Sequence, residues 1–458
     1  MKKIKKQNHT KIAMFAGAAA LMALTPQIHA QSSVDALLNK LEQKGVLTVD
    51  EAKELKAENA TNSVADFNAA MNSRFPIPDW VTSYKLSGDF RGRFDDVSTD
   101  IHSAAGGTDN NIRLRYRLRV GLLVNMKDGM QVGFRLGTDD AGTAAAKGGN
   151  PLSNNSTFQG NGSKKMIYVD AAYGKWTPIN NDTWMVAGTF GKMDQPFQAS
   201  PMLFDPDYTP EGGALQATYK FNSDNSLAFN GAAFVLDQLN TRGPFLYGGQ
   251  IIWNSKWSQR IGTVLGVAAY DIANQSHLVA TFPTGASYDS NLGNTISLSG
   301  LPASDFNPIV GSGSVTYTLD SFPLYAGAFP IKFAGEYMEN PATAKNNKGW
   351  WGGVTFGKSG KKGTWDVSYR YQRLEADAWW DQIVDDDNIA VFPASLIAGT
   401  AAGGTNIKGH LIKFNYSILD STTFTVTCYI NDLINNNTGF PAAKTDAIHI
   451  LADLMWKF

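Results

Sequence analysis

The chain has 458 residues, with 40 Lys and Arg against 41 Asp and Glu, so its formal net charge is only −1. It contains 44 Gly, 25 Phe, 16 Tyr and 11 Trp, and 18% of its residues are charged. A net charge so close to neutral argues against nucleic acid as a partner. The single cysteine, Cys428, excludes an internal disulfide. This composition favours one large β structure over two or three soluble domains.

Residues 1–30 have the organisation of a secretory signal peptide. Five lysines precede an apolar run at 12–24, and a polar stretch then leads to Ala30. A run of about 13 residues is shorter than the ~20 that a membrane-spanning helix needs. We therefore predict export with cleavage after Ala30, which removes five lysines and changes the formal charge from −1 to −6.

Residues 31–62 have a helical pattern. Val34, Leu37 and Leu41 recur at a spacing of three and four, Gly45 interrupts the run, and 48–51 forms a capping box that starts a second helix. Two interpretations remain open for this helix–turn–helix: a coiled-coil or self-association element, or a helical hairpin packed against the rim of the β structure. Residues 63–83, with two prolines, are predicted to be a linker.

From residue 84 onward, sixteen segments have the composition and alternation of strands. We place them at 84–95, 111–125, 129–139, 165–177, 182–191, 212–222, 226–237, 245–256, 258–271, 312–325, 329–339, 348–358, 362–375, 407–418, 421–432 and 445–458. Every second connection is short, and the others are usually long, reaching about forty residues between 272 and 311. This alternation predicts a sixteen-stranded antiparallel transmembrane β-barrel over 84–458, with its short turns at one membrane face and its long loops at the other.

The two faces of the strands support a membrane barrel. In the second strand, four arginines alternate with apolar residues such as Leu114, Tyr116 and Leu118. An arginine that faces lipid at mid-membrane costs ~2–4 kcal/mol, so the arginine face must line a wet lumen. Aromatic residues near strand ends are predicted to form interfacial girdles: Tyr84, Trp176, Trp253, Trp257, Trp365 and Trp456.

The last strand carries a further signal. From Ile448 every second residue is apolar, and the chain stops on Phe458. A strand of this kind resembles the closing strand of bacterial outer-membrane barrels, in which the terminal aromatic residue is recognised by the barrel-assembly machinery.

Several motifs together resemble the "putative porin" family of Gram-negative bacteria. They are GVLTVDEAKEL (45–55), KLSGDFRGRFDD (85–96), NIRLRYRLRVGL (111–122), GTFGKMDQPFQ (188–198), FDPD (204–207), EGGA (211–214) and GEYMEN (335–340). The resemblance runs from about residue 34 to residue 458. It implies a channel of sixteen to eighteen strands in outer-membrane lipid, a homotrimer, and a periplasmic N-terminal segment.

The same resemblance suggests where solutes are sorted, because the third extracellular loop of porins folds inward. That loop corresponds here to 192–211 and carries Asp194, Asp205, Asp207 and Glu211. The opposing wall is predicted to present Arg91, Arg93, Arg113, Arg115, Arg117, Arg119 and Arg135. An acidic loop against a basic wall would set a transverse field across the pore constriction. The alternative is that these groups are ion-paired wall structure without a role in selectivity.

The sequence therefore predicts a porin for passive diffusion of small hydrophilic solutes and ions. Two alternatives remain: a substrate-specific channel for anions or sugars, and a structural or adhesion protein linked to the cell wall. No enzyme, cofactor or metal is predicted, because the histidines are scattered and lack metal-ligand spacing. The acidic run 385–387 with Asp381 is interpreted as a solvated outer loop rather than a calcium site, and Trp379 and Trp380 as loop packing rather than sugar-stacking residues.

Overall fold

The structure is a computed structural model, and it describes residues 78–99, 110–140, 149–238, 243–278, 292–297, 301–392, 401–435 and 445–458. The predicted signal peptide, the predicted helical segment and nearly all of the predicted linker lie outside these residues. The chain divides into two compact units, Met1–Asp79 and Trp80–Phe458. In the described part of the chain, no helix combines the length and hydrophobicity needed to cross a membrane.

The second unit is a closed antiparallel barrel of sixteen strands, as predicted. The barrel strands are β1 (Val81–Thr99), β2 (Asn110–Met126), β3 (Met130–Asp139), β5 (Met166–Asn180), β6 (Trp184–Lys192), β7 (Glu211–Lys220), β8 (Asn225–Val235), β9 (Phe245–Lys256), β10 (Ile261–Ala273), β11 (Ile309–Leu319), β12 (Phe329–Glu339), β13 (Lys348–Gly357), β14 (Trp365–Leu374), β17 (Ile407–Leu419), β18 (Thr422–Leu433) and β19 (Ala447–Lys457). Three short strands lie in long loops: β4 (Ser156–Thr157) pairs with β2, and β15 (Ile389–Val391) pairs with β16 (Ala401–Gly403).

The barrel closes where β19 pairs with β1, in a register that runs from Asp89↔Lys457 to Thr99↔Ala447. The terminal Phe458 completes this seam. Its amide donates to the Gly88 carbonyl at 3.0 Å, and the Gly88 amide donates to the Phe458 carbonyl at 2.8 Å. A Cβ at Gly88 would collide with the backbone carbonyl oxygen of Arg119 and lie 2.5 Å from the Phe458 ring, so a glycine is required at this position.

Connections follow the predicted parity. The seven short turns span two to nine residues and the eight long loops span eight to thirty-five. The β2–β3 turn places Asp128 and Gly129 at φ values of 58° and 73°, the left-handed pair that suits the twist of a tight hairpin. Most predicted strand bounds differ from the structure by one to four residues; β1, for example, spans Val81–Thr99 rather than 84–95. The largest difference is the end of β11, at Leu319 rather than 325. Pro323 follows β11 and has no N–H to continue the ladder.

The strand faces separate apolar from polar groups. Ile112 and Leu114 are 54% and 52% exposed on the outer surface, whereas Arg117 on the other face of β2 is 5% exposed. The outer surface therefore matches a lipid environment, and the inner surface carries the charges.

Candidate functional site

The third long loop, residues 193–210, folds into the barrel. The Gln198 amide donates to Gln250 Oε1 of β9 at 2.9 Å, and the Ser200 amide donates to the Glu336 carboxylate of β12 at 3.4 Å. On the other side, Asp207 contacts Arg117 of β2 at 3.0 Å. The loop thus touches strands that lie far apart around the barrel.

The seventh long loop, described at 375–392 and 401–406, also folds inward. The fully buried Trp379 donates from Nε1 to the Leu203 carbonyl of the third loop at 2.8 Å, and the Asp205 amide donates to the Ile383 carbonyl at 2.8 Å. The interpretation of its acidic run as a solvated loop is therefore wrong, since Asp381 and Asp385 are buried. The physical reason is burial of its apolar side chains, which contributes roughly 25 cal/mol per Å² removed from water.

The two loops and the inner wall share one apolar cluster at the long-loop end of the barrel. The third loop contributes Met193, Phe197, Met202, Leu203 and Phe204, and the seventh contributes Ala378, Trp379, Trp380, Ile383 and Val384. The wall adds inward residues of β7 to β14, including Phe234, Leu246, Tyr270, Met338 and Leu374. The loops are consequently held on the β7–β14 side, and Asp194, Asp207 and Asp387 face the arginines of β1–β3.

The arginines of the wall are paired first with strand acids. Asp95 lies 2.8 Å from Arg113 and 3.3 Å from Arg115. Asp89 lies 3.0 Å from Arg117 and 2.9 Å from Arg119. Neither acid was among the site residues predicted from the sequence, although 89, 91, 93 and 95 share one face of β1 at period two.

Four arginines also contact acids of the inward loops. Arg117 lies 3.0 Å from Asp207, and Arg119 lies 3.5 Å from it. Arg135 lies 2.6 Å from Asp194, and Arg93 lies 3.1 Å from Asp387 of the seventh loop. Arg93 and Arg117 are buried, and removing one partner of a buried ion pair costs about 3–5 kcal/mol because it leaves an uncompensated charge. Asp194 is largely exposed, so its pair with Arg135 contributes only about 0–1 kcal/mol. These pairs therefore tie the loops to the wall.

The remaining predicted site residues are placed differently. Glu211 is largely exposed and pairs with Lys192 at 3.4 Å, away from the arginines. Asp205 contacts the seventh loop rather than the wall, because it accepts hydrogen bonds from the amides of Asp207 and Asp386. Arg91 donates to Asn155 of the second long loop at 2.7 Å.

Where the two loops meet, Asp205, Asp385 and Asp386 place carboxylate oxygens within 4.8 Å of one another. Burial raises the pKa of Asp385 to about 6, with neighbouring Asp387 adding to the rise. Burial and neighbouring carboxylates also raise the pKa of Asp205 and Asp386. Burial opposes ionisation of Asp387 too, but Arg93 holds its pKa at about 2. Within the described residues this cluster alone has cation-binding spacing.

Comparison with known proteins agrees with this architecture. The structure is similar to the high-pH structure of Pseudomonas putida OprB, at 10% identity and a TM-score of 0.50, over 82% of this chain and 94% of that chain. It is also similar to the low-pH OprB structure (8% identity, TM-score 0.42, 82% and 92%) and to a variant of the Rhodopseudomonas blastica porin (10%, 0.39, 82% and 100%).

No curated protein matches the sequence. The family model described as "Putative porin" matches residues 95–286 and 318–458, which is most of the chain. This chain belongs to the "Putative porin" family.

Proposed function

We propose that this protein is an outer-membrane porin through which small hydrophilic solutes and ions diffuse passively. The observation that carries the proposal is a closed sixteen-stranded barrel in a porin family, with an apolar outer surface and a charged interior. Family and fold point to a channel rather than an enzyme.

The constriction is proposed to lie between the inward loops and the arginine wall. The ladder Arg113, Arg115, Arg117 and Arg119 lines one side, and Asp207 with Asp387 lines the other. Because the loop acids touch arginines directly, their fields cancel at long range and leave alternating charges along a short path. Ion selectivity is therefore mild, and solute size is the main filter.

The N-terminal part of the chain completes the proposal. Residues 1–30 are the cleaved signal peptide, 31–62 form a periplasmic helical segment, and 63–80 form a linker to β1. The channel is a homotrimer in outer-membrane lipid, assembled by the barrel-assembly machinery.

Single-channel recording of the purified protein in planar bilayers tests the function. A porin gives stable ohmic steps whose size follows the bulk conductivity of small salts. Saturation of conductance by one anion or sugar would favour the substrate-specific alternative. A silent barrel would favour the structural or adhesion alternative, for which the packing of two loops inside the barrel is the specific support.

Protease treatment of intact cells tests the orientation independently. Cleavage should occur in long loops, such as residues 141–148, and the short turns, such as 358–364, should be protected. Cleavage at the short turns of intact cells would reverse the proposed orientation.

A further inference from the structure

His449 of β19 is only 1% exposed and joins the barrel wall to the seventh loop. Its Nε2 lies 3.1 Å from Asp95 Oδ1, and its Nδ1 lies 2.8 Å from the backbone carbonyl oxygen of Asp387. A carbonyl oxygen accepts hydrogen bonds only, and so does an ionised carboxylate. A neutral imidazole carries one N–H and can satisfy one of them, whereas an imidazolium donates to both. The geometry is therefore complete only when the ring is protonated.

The contact lies where the seventh loop is tied to the wall. Arg93 pairs with Asp387 at 3.1 Å, and Asn431 of β18 donates to the Ile389 carbonyl at 2.9 Å. Val97, Ile389, Val391 and Ala447 pack together beside these bonds. A change at His449 therefore acts directly on the position of the loop.

Charged groups surround the ring from each neighbouring element. Asp95 of β1 is shared with Arg113 and Arg115 of β2. Arg93 of β1 pairs with Asp387 of the loop and with Asp453 of β19, and the Tyr429 ring of β18 stacks on His449 at 5.9 Å. Three carboxylates (Asp95, Asp387, Asp453) and three guanidinium groups (Arg93, Arg113, Arg115) thus balance one another around the histidine.

We propose that His449 is a positioning residue that holds the seventh loop in the pore while its ring is protonated, so that channel opening increases as pH rises. This inference rests on the proposed channel function and adds a regulatory residue to it. When the ring loses its proton, the nitrogen that faces the Asp387 carbonyl oxygen becomes a hydrogen-bond acceptor facing another acceptor. The contact between His449 and the seventh loop then weakens about tenfold. The remaining ties keep the loop inside the barrel, so the change is seen as larger or more frequent openings.

The test is conductance of the full-length protein in planar bilayers from pH 5 to pH 9 at constant ionic strength. The wild type should show more opening at alkaline pH. His449→Gln should show that alkaline behaviour already at pH 6, because glutamine is uncharged at every pH and has a single donor nitrogen in place of the two N–H groups on opposite sides of the imidazolium. The matched control is His410→Gln, since His410 lies exposed on the outer surface, 2.9 Å from the Tyr369 hydroxyl, and should keep the wild-type profile.

The buried loop acids Asp205, Asp385 and Asp386 also titrate and favour loop docking at low pH. The contribution of His449 to the pH dependence is therefore the difference between the conductance profiles of the wild type and of His449→Gln. Asp95→Asn separates titration from a merely structural role. This substitution removes the anionic partner of the imidazolium, so the His449-dependent change in conductance should have its midpoint at a lower pH.

Protease cleavage within the seventh loop, compared between the wild type and His449→Gln over the same pH range, gives a readout that does not depend on conductance. A rise in cleavage with pH that is larger in the wild type than in His449→Gln supports the proposal. A wild-type profile that is flat in both conductance and cleavage overturns it, as does a His449→Gln profile identical to the wild type. Absence of conductance at every pH contradicts the proposed channel function, and this inference with it.

Discussion

Replacing Arg117 by serine should shift the ion preference of the channel toward cations. Arg117 lies between Asp89 of the wall and Asp207 of the third loop, at 3.0 Å from each. Its loss leaves both carboxylates short of one positive charge. Arg119 still contacts Asp89 at 2.9 Å and Asp207 at 3.5 Å, so the loop should remain attached.

The size of the effect follows from the Coulomb energy of one missing charge. For an ion that passes ~8 Å from the position of the Arg117 guanidinium, the Coulomb energy lost with that charge is about 0.5 kcal/mol in a water-like medium. It is up to about 2 kcal/mol at an effective dielectric constant of ~20. The cation-to-anion permeability ratio should therefore rise by at least about twofold. At 1 M salt, where screening acts over ~3 Å, the difference should largely disappear.

The assay is the reversal potential in a potassium chloride gradient around 0.1 M, repeated near 1 M. Asp207→Asn should move the potential in the opposite direction. Arg260→Ser is the matched control, because Arg260 is an exposed arginine that pairs with Asp320 in the short turns. If Arg117→Ser and Asp207→Asn both leave the reversal potential of a conducting channel unchanged, neither group lies in the constriction.

Three further variants test other contacts. Deleting Phe458 removes both backbone bonds to Gly88 at the seam and should reduce the folded outer-membrane yield several-fold; a normal yield would contradict the closure described above. Trp379→Ala should weaken docking of the seventh loop by about 3–5 kcal/mol and raise both conductance and protease cleavage within the loop, whereas unchanged values would show that the loops are held without it. Asp385 has a pKa raised above its unfolded value, so it opposes docking above pH 6 and not below pH 4. The rise of about two pKa units corresponds to about 3 kcal/mol, so Asp385→Asn should stabilise the docked loop against protease by up to about 3 kcal/mol at pH 8 and leave it unchanged at pH 4. Equal protection at both pH values would contradict this expected pH dependence.

The barrel could be predicted from sequence because its signals are local. Period-two alternation distinguishes two faces within a single strand, and the cost of placing charge in lipid makes a charged row such as Arg113 to Arg119 point inward. Turn chemistry is local as well, as the Asp128–Gly129 pair shows. Strand ends are less certain, because a strand continues only while a partner supplies hydrogen bonds. That is why β1 begins earlier than its pattern predicts and β11 ends earlier.

The site could be predicted only in part. Arg117, Arg135, Asp194 and Asp207 do meet, because periodicity places the arginines in the lumen and the family resemblance points to an inward third loop. The exposed Glu211 does not join them. The residues of the seventh loop do not by themselves predict that it folds into the barrel. An irregular loop has no regular alternation of side chains from which burial or exposure could be predicted.

The sequence by itself determined the strand number, the two faces of the wall and the parity of the connections. Only the tertiary structure decided what fills the lumen. Trp379 and Leu203 are 176 residues apart in the chain, and His449 and Asp95 are 354 apart. Such contacts depend on closure of the whole barrel, since closure brings β19 beside β1 and confines both loops to one interior. Apolar burial then holds the loops in place, and the charges that remain uncovered define the candidate pore.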